Sequence, residues 1–211
     1  MGKVILEAPL SAKIGLLVIL GYVFTAVFAP WIAPYSETAI VGSSYELWTN
    51  EFIFGTDNIG RDMLSRLIFG ARNTIGIAFA TVIVAFLIGG VTGMLAAILG
   101  GWYDMAISRL VDILMAVPSL IFALLLLTIF GTSVLSLILI IAVLDSTRVF
   151  RISRSAAMNV VVMEFVEAAR LRGEGMWWVI RKEVLPNITA PLLAEFGLRF
   201  CFVFLFISAL S

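Results

Sequence analysis

Thirty-two consecutive residues without a charge, positions 113–144, restrict this chain more than any other feature of its sequence. As one helix they would extend about 48 Å, against a bilayer core about 30 Å thick. They must therefore fold back. The stretch "FGTSV" at 130–134 places glycine and hydroxyl residues within the run, the composition of a tight turn, so the run is read as a helical hairpin. Composition agrees. Of 211 residues, 62% are hydrophobic and 13% charged, whereas soluble domains carry about 45–50% and about 25%. The expected fold class is an all-α, polytopic transmembrane helical bundle.

Five spans can be drawn, at 14–33, 74–99, 103–130, 134–151 and 191–211. The first follows Lys3 and Lys13 as a signal peptide would. It is nevertheless about 20 residues long, beyond the about 7–15 of a signal core. Pro30 and Pro34 also flank its only small-residue cleavage point, so a retained helix is expected. Gly2 does not signal myristoylation, because Leu6 stands where serine or threonine is required. Lysine and arginine placement favours a cytoplasmic N-terminus. Segment 34–73 would then lie outside with three arginines against five acids, and 145–191 inside with seven arginines and lysines. The last span stops at Ser211 without a charged or aromatic flank. An odd number of spans leads to the expectation of a fragment that stops short of at least one further helix.

Several chemistries are unsupported. The formal net charge is zero, where a nucleic-acid partner would call for a basic surface. There is no histidine, and the single cysteine, Cys201, sits in an apolar run as a packing residue. A zinc site or nucleophilic dyad lacks its residues. The only lysines are Lys3, Lys13 and Lys182, none after a glycine-rich cradle, so no P-loop is present. No cofactor or metal is expected, and no enzymatic activity in this chain.

Inside the spans, Gly89, Gly93, Ala97 and Gly101 repeat every four residues. Small residues at this spacing let helix backbones approach closely; packing is the main reading and a substrate path the lesser one. Arg109 with Asp112, Asp145 with Arg148, and Glu195 with Arg199 have the spacing of pairs on one helix face, with Arg151 and Arg154 extending the second stripe. Helix stabilisation near the interface is favoured over a substrate site for each. Pro118 in "MAVPSL" is expected to kink its helix.

One polar stretch interrupts the grease: "EFVEAARLRGEGMWWVIRKEVLPN" at 164–187 carries eight charges. Its first part is helix-forming, with Phe165, Val166, Ala168, Ala169 and Arg172 on a small, mixed face. Gly173 and Gly175 are both expected to take positive backbone angles and turn the chain. Trp177 and Trp178 suit the membrane boundary, with Arg181 and Lys182 beside them. Leu185-Pro186-Asn187 is expected to stop the second helix before the last span. These residues alone leave two readings open, an interfacial helix without a partner or a docking element.

The spacing of Glu167-Ala168-Ala169, then Gly173, then Leu185-Pro186 resembles the EAA loop of permease subunits of ATP-binding-cassette importers. Glu174-Gly175 and Glu183 depart from that pattern. A second motif, "FGTDNIGRDMLSRLIFGARNTI" at 54–75, is similar to the segment before the second span in the dipeptide, oligopeptide and nickel branch, through Gly55, Thr56, Asp57, Gly60, Arg61 and Asp62, and also Ser65, Arg66, Gly70, Ala71 and Arg72. Physically it reads as a turn followed by an amphipathic helix lying near the outer surface, with a structural role at least as well supported as contact with a partner. "RLVDILMAVPSL" at 109–120 resembles the same branch.

The resemblance implies a type I importer permease fold lacking its last helix. It implies a first part, 1–73, with one span and an external segment, and a second, 74–211, as the permease domain with a cytoplasmic coupling loop at about 155–190. It also implies a bacterial inner-membrane location and partners: a second homologous permease, two cytoplasmic ATP-binding subunits, an external solute-binding protein and the lipid bilayer, with no nucleic acid. Glu167, Ala168, Ala169, Gly173, Leu185 and Pro186 would couple to the ATPase. Peptide, nickel or opine-like solutes all fit. The competing readings are a gradient-driven secondary transporter or channel, which calls for acids near the bilayer midplane and inverted repeats, and a non-transporting scaffold.

Overall fold

With no water in a bilayer core, every backbone N–H and C=O must be paired within its own element, which leaves helices as the economical solution for apolar sequence. A computed structural model describes residues 9–210. Gly2, Lys3, Leu6 and Ser211 lie outside the described residues. Among those described there is no strand, only isolated bridges pairing Ile40 with Arg61 and Thr56 with Asp62. The chain divides into two compact units, Met1–Gly76 and Ile77–Ser211.

In the first unit, helix α1 spans Leu10–Ile32 and is apolar on nearly every side. Most of its side chains are exposed, as suits a helix solvated by lipid, while Ala26 and Ala29 are buried. Pro30 sits inside it without ending it. After α1 the chain forms an irregular segment before helix α2, Met63–Leu99. That helix differs from the expected surface helix followed by a separate span. Nothing between Gly70 and Ile75 is a proline or a positive-φ residue, so one helix of 37 residues runs through.

The second unit is built on helix α5, Val134–Val161. Before it come α3, Gly101–Ala116, and α4, Ser119–Phe130. Expected as one kinked span, α3 and α4 are separate helices bent by 90°. Pro118 forces the preceding Val117 out of helical geometry, to φ −90° and ψ 132°, so the helix breaks there. The hairpin turn expected at 130–134 is present: Gly131 takes φ 84° and Ser133 caps α5 by accepting the Ser136 N–H.

Beyond α5 lie α6, Glu164–Leu171, and α7, Met176–Val179. A π-helical turn, Ile180–Val184, joins α7 to α8, Leu185–Leu210. The sequence placed a stop at Leu185-Pro186-Asn187; instead Met176–Leu210 is continuous. Pro186 supplies no N–H, and the wider π turn just before it accommodates that gap. The Asn187 side-chain amide donates to the Glu183 carbonyl at 2.6 Å. Among the described residues, three helices are long and apolar enough to cross a membrane, or up to four if α3 and α4 form one span. Helix α5 carries Asp145, Arg148 and Arg151 about its middle.

The glycine stripe packs as its spacing predicts, with one exception. A Cβ on Gly89 would lie 2.3 Å from the Ser146 carbonyl oxygen, and one on Gly93 2.7 Å from that of Phe150. The α2 backbone thus rests directly on α5. Gly101 is the exception: α2 ends at Leu99, and Gly100 and Gly101 take positive φ to turn the chain into α3. Replacement of Gly89 by Val should therefore destabilise the detergent-solubilised protein by about 1–3 kcal/mol or more. Gly76→Ala meets open space inside the same helix and should stabilise by about 0.5–1 kcal/mol. Thermal unfolding of both variants measures the contrast, and equal behaviour would contradict close packing at Gly89.

Candidate functional site

The polar loop is held by one small core. Val166 and Ala169 of α6, Val179 of α7, Ile180 and Val184 of the π turn, and Ile188 of α8 are all buried together with Met94 and Ala157. This decides which face of α6 is available. Ala169 and Val166 are turned inward, whereas Phe165, Glu167, Ala168 and Leu171 are exposed. The mixed face read from the sequence is therefore split, and Ala168 and Ala169 do not share an open surface. Leu171 was not singled out by sequence reasoning. Its only signal is an apolar residue between Arg170 and Arg172, yet it is 83% exposed.

Charge follows the helix dipole. Glu164 and Glu167 occupy the first turn of α6 and Arg170 the last, each favourable at its end. The stop is set by Gly173 at φ 82°. Its N–H donates to the Arg170 carbonyl at 2.9 Å, and the Glu174 N–H donates to the Ala169 carbonyl at 3.2 Å. This pair of bonds is the Schellman arrangement, which needs a left-handed residue at that one position. A Cβ there would meet open space, so glycine is required for its backbone angle, not for room. Gly175, expected to share this role, has φ −71° and does not.

Past the turn, Trp177 is exposed and Trp178 half-buried, with the Arg172 guanidinium 6.0 Å from the Trp178 ring centroid, the outer limit of a cation–π contact. Leu185 packs against the loop core, while Pro186 is exposed.

The second motif is knit together around Asp57, which is buried. Its Oδ1 accepts the N–H of Ile59 and of Arg61, both at 2.9 Å. Its Oδ2 accepts Arg61 Nε at 2.7 Å and Arg66 Nη1 at 2.8 Å. Desolvation opposes the charge on Asp57, but these backbone and guanidinium donors outweigh it and hold the carboxyl well below the usual range. Thr56 Oγ1 accepts from Glu46 N and donates to the Ser43 carbonyl. Asp62 caps α2 through the Ser65 N–H at 2.8 Å. Gly55 and Gly60 have positive φ, and a Cβ on either would strike backbone oxygen, at Glu46 and Gly42 respectively. All six residues of this motif thus serve to fold the one loop between α1 and α2.

The charged pairs of the second unit run mostly between helices, not along them. Asp112 bonds Arg151 at 2.6 Å instead of Arg109, and Asp104 binds Arg154 through two guanidinium nitrogens. Both tie α3 to α5. Glu195 and Arg199 do pair along α8, at 2.6 Å, but Arg199 also reaches Asp145 on α5. Such cross-helix partners have no local sequence spacing that would announce them. Among the described residues no cluster of His, Cys, Asp and Glu could hold a metal.

Because Asp57 has a depressed native value, its contribution to stability is complete above the unfolded carboxylate value of about 3.9 and is lost as pH falls through the native one. Asp57→Asn should remove that acid sensitivity. At neutral pH it should also speed hydrogen exchange at the Ile59 and Arg61 amides, and unchanged exchange would refute the hub.

Comparison with known proteins matches residues 89–211 to the family described as binding-protein-dependent transport system inner membrane component. Residues 11–46 match the N-terminal transmembrane domain of oligopeptide transport permease C. The chain is 36% identical over 204 residues to a di/tripeptide transport system permease protein of Pseudomonas aeruginosa, covering 93% of this chain and 67% of the relative. It is 32% identical to a dipeptide transport system permease protein of Haemophilus influenzae, with 88% and 65% covered. A probable D,D-dipeptide transport system permease protein of Escherichia coli is 30% identical, with 90% and 64% covered. The chain spans about two thirds of the length of these relatives.

Proposed function

Because the chain belongs to the family of binding-protein-dependent transport system inner membrane components, we propose that it is the membrane-spanning permease subunit of an ATP-driven importer for peptides or a related small solute. Its membership places it among multi-pass inner-membrane transport proteins and does not favour a gradient-driven transporter or a scaffold. The observation that carries the working reading is the division of α6. Its inner side is locked into the chain's own core through Val166 and Ala169, while Phe165, Ala168 and Leu171 stand uncovered. A short helix fixed behind, with apolar residues uncovered among the exposed charges of Glu164, Glu167 and Arg170, suits docking into a groove of another protein.

On this reading α6 docks into a cytoplasmic ATP-binding subunit, of which the assembly holds two, and Glu167, Ala168, Gly173 and Pro186 shape the docking surface. Ala169 and Leu185 act from behind it. The N-terminus is cytoplasmic, the Asp57 loop is external, and an external solute-binding protein delivers the solute. The solute crosses between this subunit and a second homologous permease in the lipid bilayer, without any nucleic-acid partner. Residues 1–73 form an entry helix and external segment, and 74–211 the permease domain with its coupling loop at about 155–190. ATP binding closes the ATPase pair and pulls α6. Because α6 shares its core with the π turn and the start of α8, the pull reaches the spans. The nucleotide chemistry resides in the partner.

Gly173→Val tests this. A β-branched residue at positive φ costs about 1–2 kcal/mol, and distortion of the stop should lower peptide uptake by the assembled transporter about tenfold. Membrane level of the subunit should be unchanged. Gly173→Asn, which tolerates the left-handed region, should retain most uptake. Full uptake by Gly173→Val, with the variant verified in the membrane, would remove the coupling role.

A further inference from the structure

Charge inside a bilayer is costly and, where it persists, commonly functional. In the second unit, Asp145 and Glu195 are both buried. Arg199 stands 2.6 Å from Glu195 Oε1 and 3.4 Å from Asp145 Oδ1. Arg148 is 3.7 Å from that same Asp145 oxygen. The sequence placed these pairs near span ends. Asp145 in fact lies about 18 Å along α5 from its cap at Ser133, packed against α8 through Arg199.

Two carboxylates and two guanidiniums balance in charge but not in hydrogen bonds. The close approach of Arg199 to Glu195 is not aligned as a hydrogen bond, and Asp145 Oδ2 is buried without a partner among the described residues. Arg148 is too far from Asp145 to donate to it and its side chain is 43% exposed. A network serving stability alone is expected to close such bonds.

Asp145 and Arg148 also line a cavity of about 260 Å³, together with Ser119, Phe202 and Phe206. One end is ionic and the rest largely apolar and aromatic. Its volume falls below the about 300–1,000 Å³ of drug-sized sites, which suits one end of a short peptide better than a long chain.

We propose that this cavity is a relay site for solute in transit, in which Arg148 takes the terminal carboxylate of a peptide and Phe202 and Phe206 cover an apolar side chain. The proposal rests on the peptide-transport reading above. A guanidinium presents a planar fork that matches a carboxylate, and Arg148 retains its donors because it is only loosely paired. In the empty site Asp145 tethers Arg148 electrostatically. When a peptide carboxylate takes over Arg148, Asp145 still faces Arg199, which it then shares with Glu195. Glu195 and Arg199 act behind the site as positioning residues.

The test uses the complete transporter in proteoliposomes with its binding protein, and trialanine as probe. Arg148→Gln should lower uptake about tenfold, as expected for loss of a charge-assisted bond. ATP hydrolysis stimulated by loaded binding protein should change less than about twofold, and Arg148→Lys should recover part of the uptake. In a Cys201→Ser background, Ser119→Cys should react with a small sulfonated thiol reagent. Trialanine should slow that reaction about threefold when Arg148 is present and not in Arg148→Gln. Unchanged uptake in Arg148→Gln, loss of uptake and ATP hydrolysis in parallel, or absence of trialanine protection at position 119 would each overturn the relay site. Absence of trialanine uptake by the unmodified transporter would instead sink the peptide-transport reading, and the relay site with it.

Discussion

The contact between α2 and α5 is the constraint on which the second unit depends. At Gly89 and Gly93 there is no space for even a methyl group between the helices, because the α5 carbonyls of Ser146 and Phe150 occupy it. In lipid, where apolar surface gains nothing by leaving its solvent, close van der Waals contact of this kind is a main source of helix association. It fixes α5, and α5 then sets the rest. Asp112 and Asp104 of α3 meet Arg151 and Arg154 of α5, while Asp145 of α5 meets Arg199 of α8. A helix placed by its neighbour's glycines thus carries the charges that place two others.

The same economy governs the polar loop. Residues from α6, α7, the π turn and α8 bury one shared core, so the loop is a structured extension of the bundle. The unbroken path from Met176 to Leu210 gives α6 a stiff neighbour. A displacement of the short helix has a packed route into a span, which a flexible linker would dissipate. Gly173 gives α6 a defined end through two backbone bonds, and the exposed Leu171 sits just before it.

Much of this was legible from residue types. The hairpin at 130–134 followed from length against bilayer thickness, the small-residue packing of Gly89 and Gly93 from their spacing, and the turn at Gly173 from its place after a helix. Other elements were misread for physical reasons that sequence patterns do not carry. Pro118 breaks a helix where Pro30, Pro186 and Pro191 do not, because neighbouring backbone decides whether the missing N–H can be absorbed. Arg109 and Asp112 have the right spacing, yet Asp112 bonds Arg151, since a partner across the bundle can win over one on the same helix. Ala168 and Ala169 look interchangeable in sequence, and one rotation step apart on α6 they face opposite environments.

What the sequence by itself determined is the medium and the family: a run too apolar for water, too long for one span, with loop motifs whose residue spacing is specific. Those follow from transfer free energy and backbone geometry, which act locally. Only the tertiary structure decided which face of α6 stays open, that Asp57 collects two arginines and two backbone amides, and that Asp145, Arg148, Glu195 and Arg199 gather beside one cavity. The last four come from α5 and α8, helices far apart in the chain, so their meeting depends on packing, which no local pattern encodes.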